Sequence, residues 1–187
     1  MDKLRILVSG GGLAGLAAAY WLHRNGHEAV VIERAPGLRR DGYGLDFFGT
    51  GYDVAERMGI VEDLAPTQIF MDQGSGIAFV DGDGKPLAEL KIDAVREILG
   101  GKYMGLMHYN LEQVLYDAVK EDVDVRFSTS IDEVAQSADA VRVTYADGDT
   151  ESYDLLVGAD GIHSNVRGLV FGPEADRIHP RSRRSPS

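Results

Sequence analysis

Near its start the chain runs Leu4-Arg5-Ile6-Leu7-Val8-Ser9, a short apolar strand, into Gly10-Gly11-Gly12-Leu13-Ala14-Gly15 and then directly into a helix-forming segment. A Gly-x-Gly-x-x-Gly turn between a strand and a helix predicts a dinucleotide cradle. Gly10 permits the tight turn, Gly12 removes the Cβ that would hold the backbone away from a pyrophosphate, and Gly15 lets the helix lie close to its strand. Leu13 and Ala14 open the helix, whose first turn offers free N–H groups and the positive end of its dipole to phosphate.

Such a turn is weak evidence alone in a chain with 23 glycines, and its surroundings decide the reading. Ala17, Ala18, Ala19 and Leu22 favour a helix that stops at Asn25-Gly26. Ala29-Val30-Val31-Ile32 is nearly all apolar, as a buried parallel strand is, and ends in Glu33. About 20 residues beyond the glycines, an acid can accept hydrogen bonds from both hydroxyls of an adenosine ribose. The alternative is a surface glutamate closing a strand of an ordinary α/β domain.

Farther along, Arg34 to Gly44 reads as a polar loop, and a short helix runs from Tyr52 to Met58 before Gly59. Ile69 to Phe70, Ile77 to Val80 and Pro86 to Leu90 read as strands, the last two joined by Asp81-Gly82-Asp83-Gly84. Asn110 to Lys120 is an amphipathic helix with Asn110 as its N-cap. Val123 to Phe127 suits a further parallel strand, and Ile131 to Gln136, Ala140 to Tyr145 and Thr150 to Tyr153 make an antiparallel meander. Leu155-Leu156-Val157-Gly158 then returns to the buried sheet and leads into Ala159-Asp160-Gly161-Ile162-His163-Ser164-Asn165-Val166-Arg167. Residues 176–187 concentrate arginine, hold Ile178 as their one aliphatic residue apart from proline, and are expected to be a disordered basic tail: a solvated tail, a terminus left by truncation or a shifted reading frame, or an interaction arm.

The ordered set of Gly10-x-Gly12-x-x-Gly15, Glu33 and Asp160-Gly161 with Arg167 resembles the class A flavoprotein monooxygenases, the para-hydroxybenzoate hydroxylase-like group, and within it the tetracycline-degrading flavoenzymes. The likeness extends from residue 3 to about residue 172. It implies an α/β fold: a Rossmann-like FAD-binding domain of the glutathione-reductase type over residues 1–175. That domain has a parallel sheet, an antiparallel meander and, at 69–106, a partial β excursion toward a substrate domain. It implies FAD as cofactor, NAD(P)H as co-substrate, and dioxygen and an aromatic or polyketide-like small molecule as reactants.

Carried onto this chain, the resemblance makes Gly10, Gly12, Leu13, Ala14 and Gly15 the pyrophosphate cradle, with Glu33 on the adenosine ribose and Arg34 beside it. Asp160 and Gly161 help to position FAD and are linked to NAD(P)H use, and Arg167 braces their loop. Arg39-x-x-Gly42-x-Gly44-Leu45-Asp46 resembles the loop passing the flavin, where close backbone approach explains the glycines and Arg39 faces phosphate. Simpler readings stand beside these: Arg167 pairs with a carboxylate, Gly42 and Gly44 are loop residues, and Asp160 caps a helix.

Two departures from the family pattern stand out. His108 occupies the position where the family carries a cofactor-contacting arginine before the Leu111-x-x-x-Leu115 pattern, and imidazole has fewer donors and only partial charge near neutrality. It is either a weaker cofactor contact or a structural histidine. The second Gly-Asp motif of the family's other half is missing, since Gly82-Asp83 and Gly148-Asp149 both sit in hairpin turns. The chain is thus expected to be a truncated form without the C-terminal half, with a non-catalytic FAD-binding fragment or pseudoenzyme as the alternative.

A formal charge of −11 argues against nucleic acid or an anionic membrane as partner. The absence of cysteine excludes disulfides and thiolate chemistry. The five histidines are scattered, so no metal site is expected. With no signal-peptide pattern and no apolar run of membrane-span length, a cytoplasmic protein is expected. Nothing in the pattern specifies an oligomeric state.

Overall fold

A computed structural model of the chain describes residues 2–40, 42–69 and 76–172. The expected tail at 176–187 and the end of the strand expected at Ile69 to Phe70 lie outside the described residues. Along the chain, strand β1 (Arg5–Ser9), helix α1 (Leu13–Arg24) and strand β2 (Glu28–Ile32) come first. They are followed by β3 (Gly44–Phe48), α2 (Thr50–Met58), α3 (Val61–Leu64), β4 (Gly76–Val80), β5 (Pro86–Lys91), α4 (Ile92–Ile98), β6 (Tyr103–Met107) and α5 (His108–Asp117). The last elements are β7 (Asp124–Arg126), β8 (Ile131–Gln136), β9 (Val141–Tyr145), β10 (Thr150–Tyr153), β11 (Leu155–Gly158) and α6 (Asn165–Phe171). They form two compact units, one from the residues up to Leu38 together with those from Val119 onward, the other from Arg39–Ala118.

In the first unit the strands lie in the order β11-β1-β2-β7, all parallel, with Ile6 opposite both Leu155 and Ala29 and Val31 opposite Val125. Side chains alternate between the two faces of the sheet. Leu7, Val30 and Ile32 form one buried cluster with Ile131, Val143, Tyr145 and Tyr153 of the antiparallel meander and Val166 of α6. By the same alternation Ile6, Val8, Ala29 and Val31 take the other face, where α1 buries Gly15, Leu16 and Ala19. Full burial of each aliphatic side chain is worth about 1.5–3 kcal/mol, so the expected βαβ core forms because Ile6 to Val8 of β1 and Ala29 to Ile32 of β2 are all apolar.

A polar network ties the meander to the sheet. Arg5 of β1 donates to Glu28 at 3.0 Å, to Glu151 of β10 at 2.6 Å and to the Ser152 carbonyl at 3.1 Å, and its guanidinium lies 4.5 Å from the Tyr153 ring centroid. Arg126 of β7 donates to Glu151 and to Asp124, and the Tyr153 hydroxyl donates to Glu151 at 3.0 Å. Burial opposes ionisation of Glu151, but the hydrogen bonds from Arg126, Arg5 and Tyr153 override it and hold the carboxyl down at about 2. Burial, with Tyr145 and Glu151 beside it, pushes the Tyr153 hydroxyl up.

In the second unit β3 pairs antiparallel with β6, and β4 with β5 through the Asp81-Gly82-Asp83-Gly84 turn. The turn is held by Asp81 Oδ1, which accepts from the N–H groups of Asp83 and Lys85 at 3.0 and 2.9 Å. Lys102 bridges Asp53 and Glu56 of α2 at 3.2 and 2.5 Å. The Tyr103 hydroxyl donates to Asp46 at 2.5 Å, and burial together with that acceptor pushes it up to about 12.

Three sequence expectations need correction. Asn110 does not cap its helix: α5 begins two residues earlier with Met107 before it, and the Asn110 amide instead donates to the Thr67 carbonyl at 3.1 Å. Strand β11 is not buried, because it is the outermost strand of its sheet and Leu155 is 45% exposed. Helix α4 and strand β6 appear where no element was expected.

Candidate cofactor cradle

The glycine turn closes around its own backbone. Gly10 has φ +114°, a conformation that favours glycine, and its N–H donates to the Ile32 carbonyl at 2.8 Å. A Cβ on Gly15 would overlap the Gly10 carbonyl oxygen and lie 3.4 Å from Val8 Cγ1, so glycine there is what lets α1 start directly against β1. A Cβ on Gly10 would lie 2.6 Å from the carbonyl carbon of Ala159 and 2.9 Å from Asp160 Cα. The two glycine-bearing motifs, about 150 residues apart in sequence, are therefore packed against each other.

Gly12 precedes α1 in extended conformation, φ −81° and ψ −171°, and no side chain caps the helix; its first turn holds no acid. The first hydrogen bond of the helix runs from the Leu16 N–H to the Gly12 carbonyl at 3.0 Å. Leu13, Ala14 and Gly15 thus begin a 12-residue helix whose first turn suits an anion.

Glu33, the residue after β2, reaches back to this turn. Its Oε2 accepts from the Gly11 N–H at 2.9 Å and its Oε1 from the Ala35 N–H at 2.8 Å. Each carboxylate oxygen keeps a further acceptor site, so these bonds fix the carboxylate without exhausting it. Gly11, an unspecified position of the motif, supplies the tie through its N–H, and a Cβ there would lie 2.9 Å from Glu33 Cβ, so the close approach of Glu33 itself calls for glycine. Arg34 follows Glu33 and is exposed.

At the end of β11, Asp160 Oδ2 accepts from the Val166 N–H at 3.0 Å, holding the start of α6, while Asp160 Oδ1 is buried and has no hydrogen-bond partner among the described residues. Ser164 caps α6 by accepting from the Arg167 N–H at 3.0 Å, and the Arg167 guanidinium donates to the Ile162 carbonyl at 2.7 Å across the loop. Gly161 is exposed with φ +84°. Asp160 is thus a helix-capping acid with one oxygen left over, and buried acceptors of this kind call for a donor.

Arg39, Gly44 and His108 belong to the second unit. Arg39 is exposed. The loop before β3 lies on the start of α5: the His108 N–H donates to the Tyr43 carbonyl at 3.0 Å, and the two rings are 5.3 Å apart. His108 Nδ1 stands 3.9 Å from Oε2 of Glu112, a buried acid one helical turn on that the sequence reading passed over although its i,i+4 spacing to His108 was visible. Neither Gly42 nor Gly44 has positive φ, and added Cβ atoms would make ordinary contacts at 3.4 and 3.6 Å. The chain's own atoms do not require glycine at either place.

Taken together, the first unit offers a cradle a Cβ would fill, an uncapped helix start, a fixed carboxylate and an orphaned buried acceptor, a set that fits the ADP portion of a dinucleotide. Comparison with known families decides which one. The FAD binding domain family matches residues 3–172. The chain belongs to this family. Its relatives include an uncharacterized protein of Mycobacterium tuberculosis, 42% identical over 173 residues, covering 90% of this chain and 45% of that protein. An FAD-dependent monooxygenase, asL4, of Sarocladium schorii is 36% identical over 178 residues, covering 92% of this chain and 40% of its own length. The crystal structure of the tetracycline destructase Tet(51) superposes with a TM-score of 0.72 at 35% identity, covering 91% of this chain and 42% of that one. The chain spans less than half the length of the relatives it matches. No helix among the described residues is long and apolar enough to cross a membrane.

Proposed function

We propose that this FAD-binding domain is the cofactor-holding half of an FAD-dependent monooxygenase that uses NAD(P)H and dioxygen to oxygenate an aromatic or polyketide-like small molecule. The observation that carries the reading is the packing of Gly10 against Ala159-Asp160 beside the Glu33 carboxylate. Bound FAD supplies the oxygen-transferring chemistry, and the protein's part is to hold, orient and shield it.

In this reading Gly12, Leu13, Ala14 and Gly15 hold the pyrophosphate through backbone N–H groups, while Gly10, whose own N–H bonds the Ile32 carbonyl, shapes the turn that lets the pyrophosphate approach. Glu33 accepts from the ribose hydroxyls, Arg34 flanks the adenosine end, and Asp160 Oδ1 takes a hydroxyl donor. Arg167 keeps the Asp160-Gly161 loop in shape through its bond to Ile162. Roles for Arg39, Gly44 and His108 toward FAD rest on the family resemblance alone.

The test is a reaction of the FAD-loaded chain with NADH or NADPH under isotopically labelled dioxygen, with a panel of phenols, polyketides and tetracycline followed by mass spectrometry. Labelled oxygen in a product supports a complete monooxygenase. FAD uptake with no labelled product supports the second reading, a binding fragment, which the chain's span of less than half its relatives favours. Retention of nicotinamide without flavin contradicts both.

A further inference from the structure

Glycines aside, Ser128 is the one described residue with positive φ, +54°. A left-handed backbone brings the Cβ of an L-residue close to the following carbonyl oxygen, so serine holds it only where its surroundings impose it, and such residues gather at functional sites. The Ser128 side chain is exposed, which leaves the constraint on the backbone. Strands β2 and β7 advance in parallel as far as Ile32 opposite Arg126, and the Glu33 N–H then donates to the Arg126 carbonyl at 2.9 Å. Beyond that point the order reverses. The Ser128 N–H donates to the Ala35 carbonyl at 2.9 Å, whereas the next residue, Thr129, donates back to the Glu33 carbonyl at 3.0 Å. The left-handed turn at Ser128 brings both donors onto residues 33 and 35.

The backbone so gripped is the one that aims the Glu33 carboxylate. Ala35, whose carbonyl Ser128 holds, donates its own N–H to Glu33 Oε1 at 2.8 Å, while Gly11 holds Oε2 at 2.9 Å from the opposite side. The Ser128 loop is itself anchored: Thr129 Oγ1 donates to the Phe127 carbonyl at 3.0 Å, and the Ser130 carbonyl accepts from the Ala146 N–H at 3.0 Å. We propose that Ser128 is a positioning residue for the nucleotide ribose. Its turn fixes Ala35, Ala35 fixes the Glu33 carboxylate, and the fixed carboxylate distinguishes a ribonucleotide from its 2′-deoxy counterpart. The proposal deepens the reading in which Glu33 accepts from the ribose hydroxyls, and rests on it.

The probes are ADP and 2′-deoxy-ADP, titrated calorimetrically into the full chain, Ser128→Gly and Ser128→Val, with circular dichroism and the urea midpoint recorded for each. The parent is expected to bind ADP about tenfold or more tightly than 2′-deoxy-ADP, as befits a hydrogen bond to a charged group. Ser128→Gly adopts the left-handed turn freely and should keep that ratio within about twofold. Ser128→Val, whose branched side chain disfavours the turn, should bring it below about threefold with its circular dichroism unchanged. A role in folding alone lowers the urea midpoint of Ser128→Val and leaves the ratio where it was, which overturns the proposal. A Ser128→Gly ratio as low as that of Ser128→Val also overturns it, because the turn is then not the cause. Amide hydrogen exchange in the parent gives an answer however Ser128→Val folds. The Ser128 and Thr129 N–H groups should exchange about fivefold more slowly with saturating ADP than with saturating 2′-deoxy-ADP, and equal rates overturn the proposal. ADP bound without preference over 2′-deoxy-ADP overturns it while FAD uptake leaves the cofactor reading standing; a chain that takes up neither nucleotide nor FAD contradicts the proposed function as well.

Discussion

Glu33 combines two jobs in one carboxylate. Its bonds to the N–H groups of Gly11 and Ala35 shape the turn, and in the proposed function its remaining acceptor sites take the ribose hydroxyls. A charge-assisted hydrogen bond is worth about 1.5–3 kcal/mol, so Glu33→Ala should weaken ADP binding by about tenfold or more, measured by calorimetric titration. Gly15→Ala acts differently, through a Cβ that would overlap the Gly10 carbonyl oxygen. Overpacking of this kind costs about 1–3 kcal/mol, and the expected outcome is a lower urea midpoint together with weaker ADP binding. The sequence exposed Gly10, Gly15 and Glu33 because their types carry their roles. It could not expose Ala35, whose contribution comes from a backbone N–H that every residue but proline possesses, or Gly11, whose need for glycine arises only once the fold brings Glu33 Cβ to 2.9 Å from where a Cβ would stand.

Among the elements, legibility followed local signal. β1, α1, β2 and the meander were readable because their apolar runs are bounded by glycine and aspartate turns. Helix α4 follows β5 without a break, has Lys91 in place of a capping side chain, and buries only Ile92, so neither a boundary nor a periodicity announced it. Strand β6 is buried along nearly its whole length against β3 and carries Gly105 in its middle, which hides alternation. Asn110 has the right residue type for a cap, yet tertiary contact with Thr67 claims its amide and α5 starts uncapped. Helix α6 is the opposite case, since Ser164 has the residue type of a cap and its hydroxyl accepts from the Arg167 N–H. Ser164→Ala should cost about 1 kcal/mol, read from the shift in urea midpoint, with a smaller loss of ADP affinity than Glu33→Ala.

At the scale of the whole molecule, the link between distant stretches was the least legible part. Arg5, Arg126, Glu151 and Tyr153 come from three strands, and no short pattern relates them before the meander packs on the sheet. Their network gives stability an acid limb. The Glu151 carboxyl is lowered from its usual 4.5 to about 2, so its contribution is fully present above about pH 4.5 and is lost as pH falls toward 2. Melting temperature should drop more steeply below pH 4.5 in the parent chain than in Glu151→Gln, which should be less stable at neutral pH and converge with the parent in acid. The same long-range closure brings Ala159-Asp160 onto Gly10 and turns two separate motifs into one cradle.

In the proposed function that cradle holds the ADP end of FAD. Competitive titration of the purified chain with FAD, ADP and FMN tests it most directly, using flavin fluorescence. The account predicts that FAD binds one per chain, that ADP displaces it, and that FMN, which lacks the adenosine, binds at least tenfold more weakly. FMN binding as tight as FAD, or FAD binding that ADP leaves untouched, would contradict it.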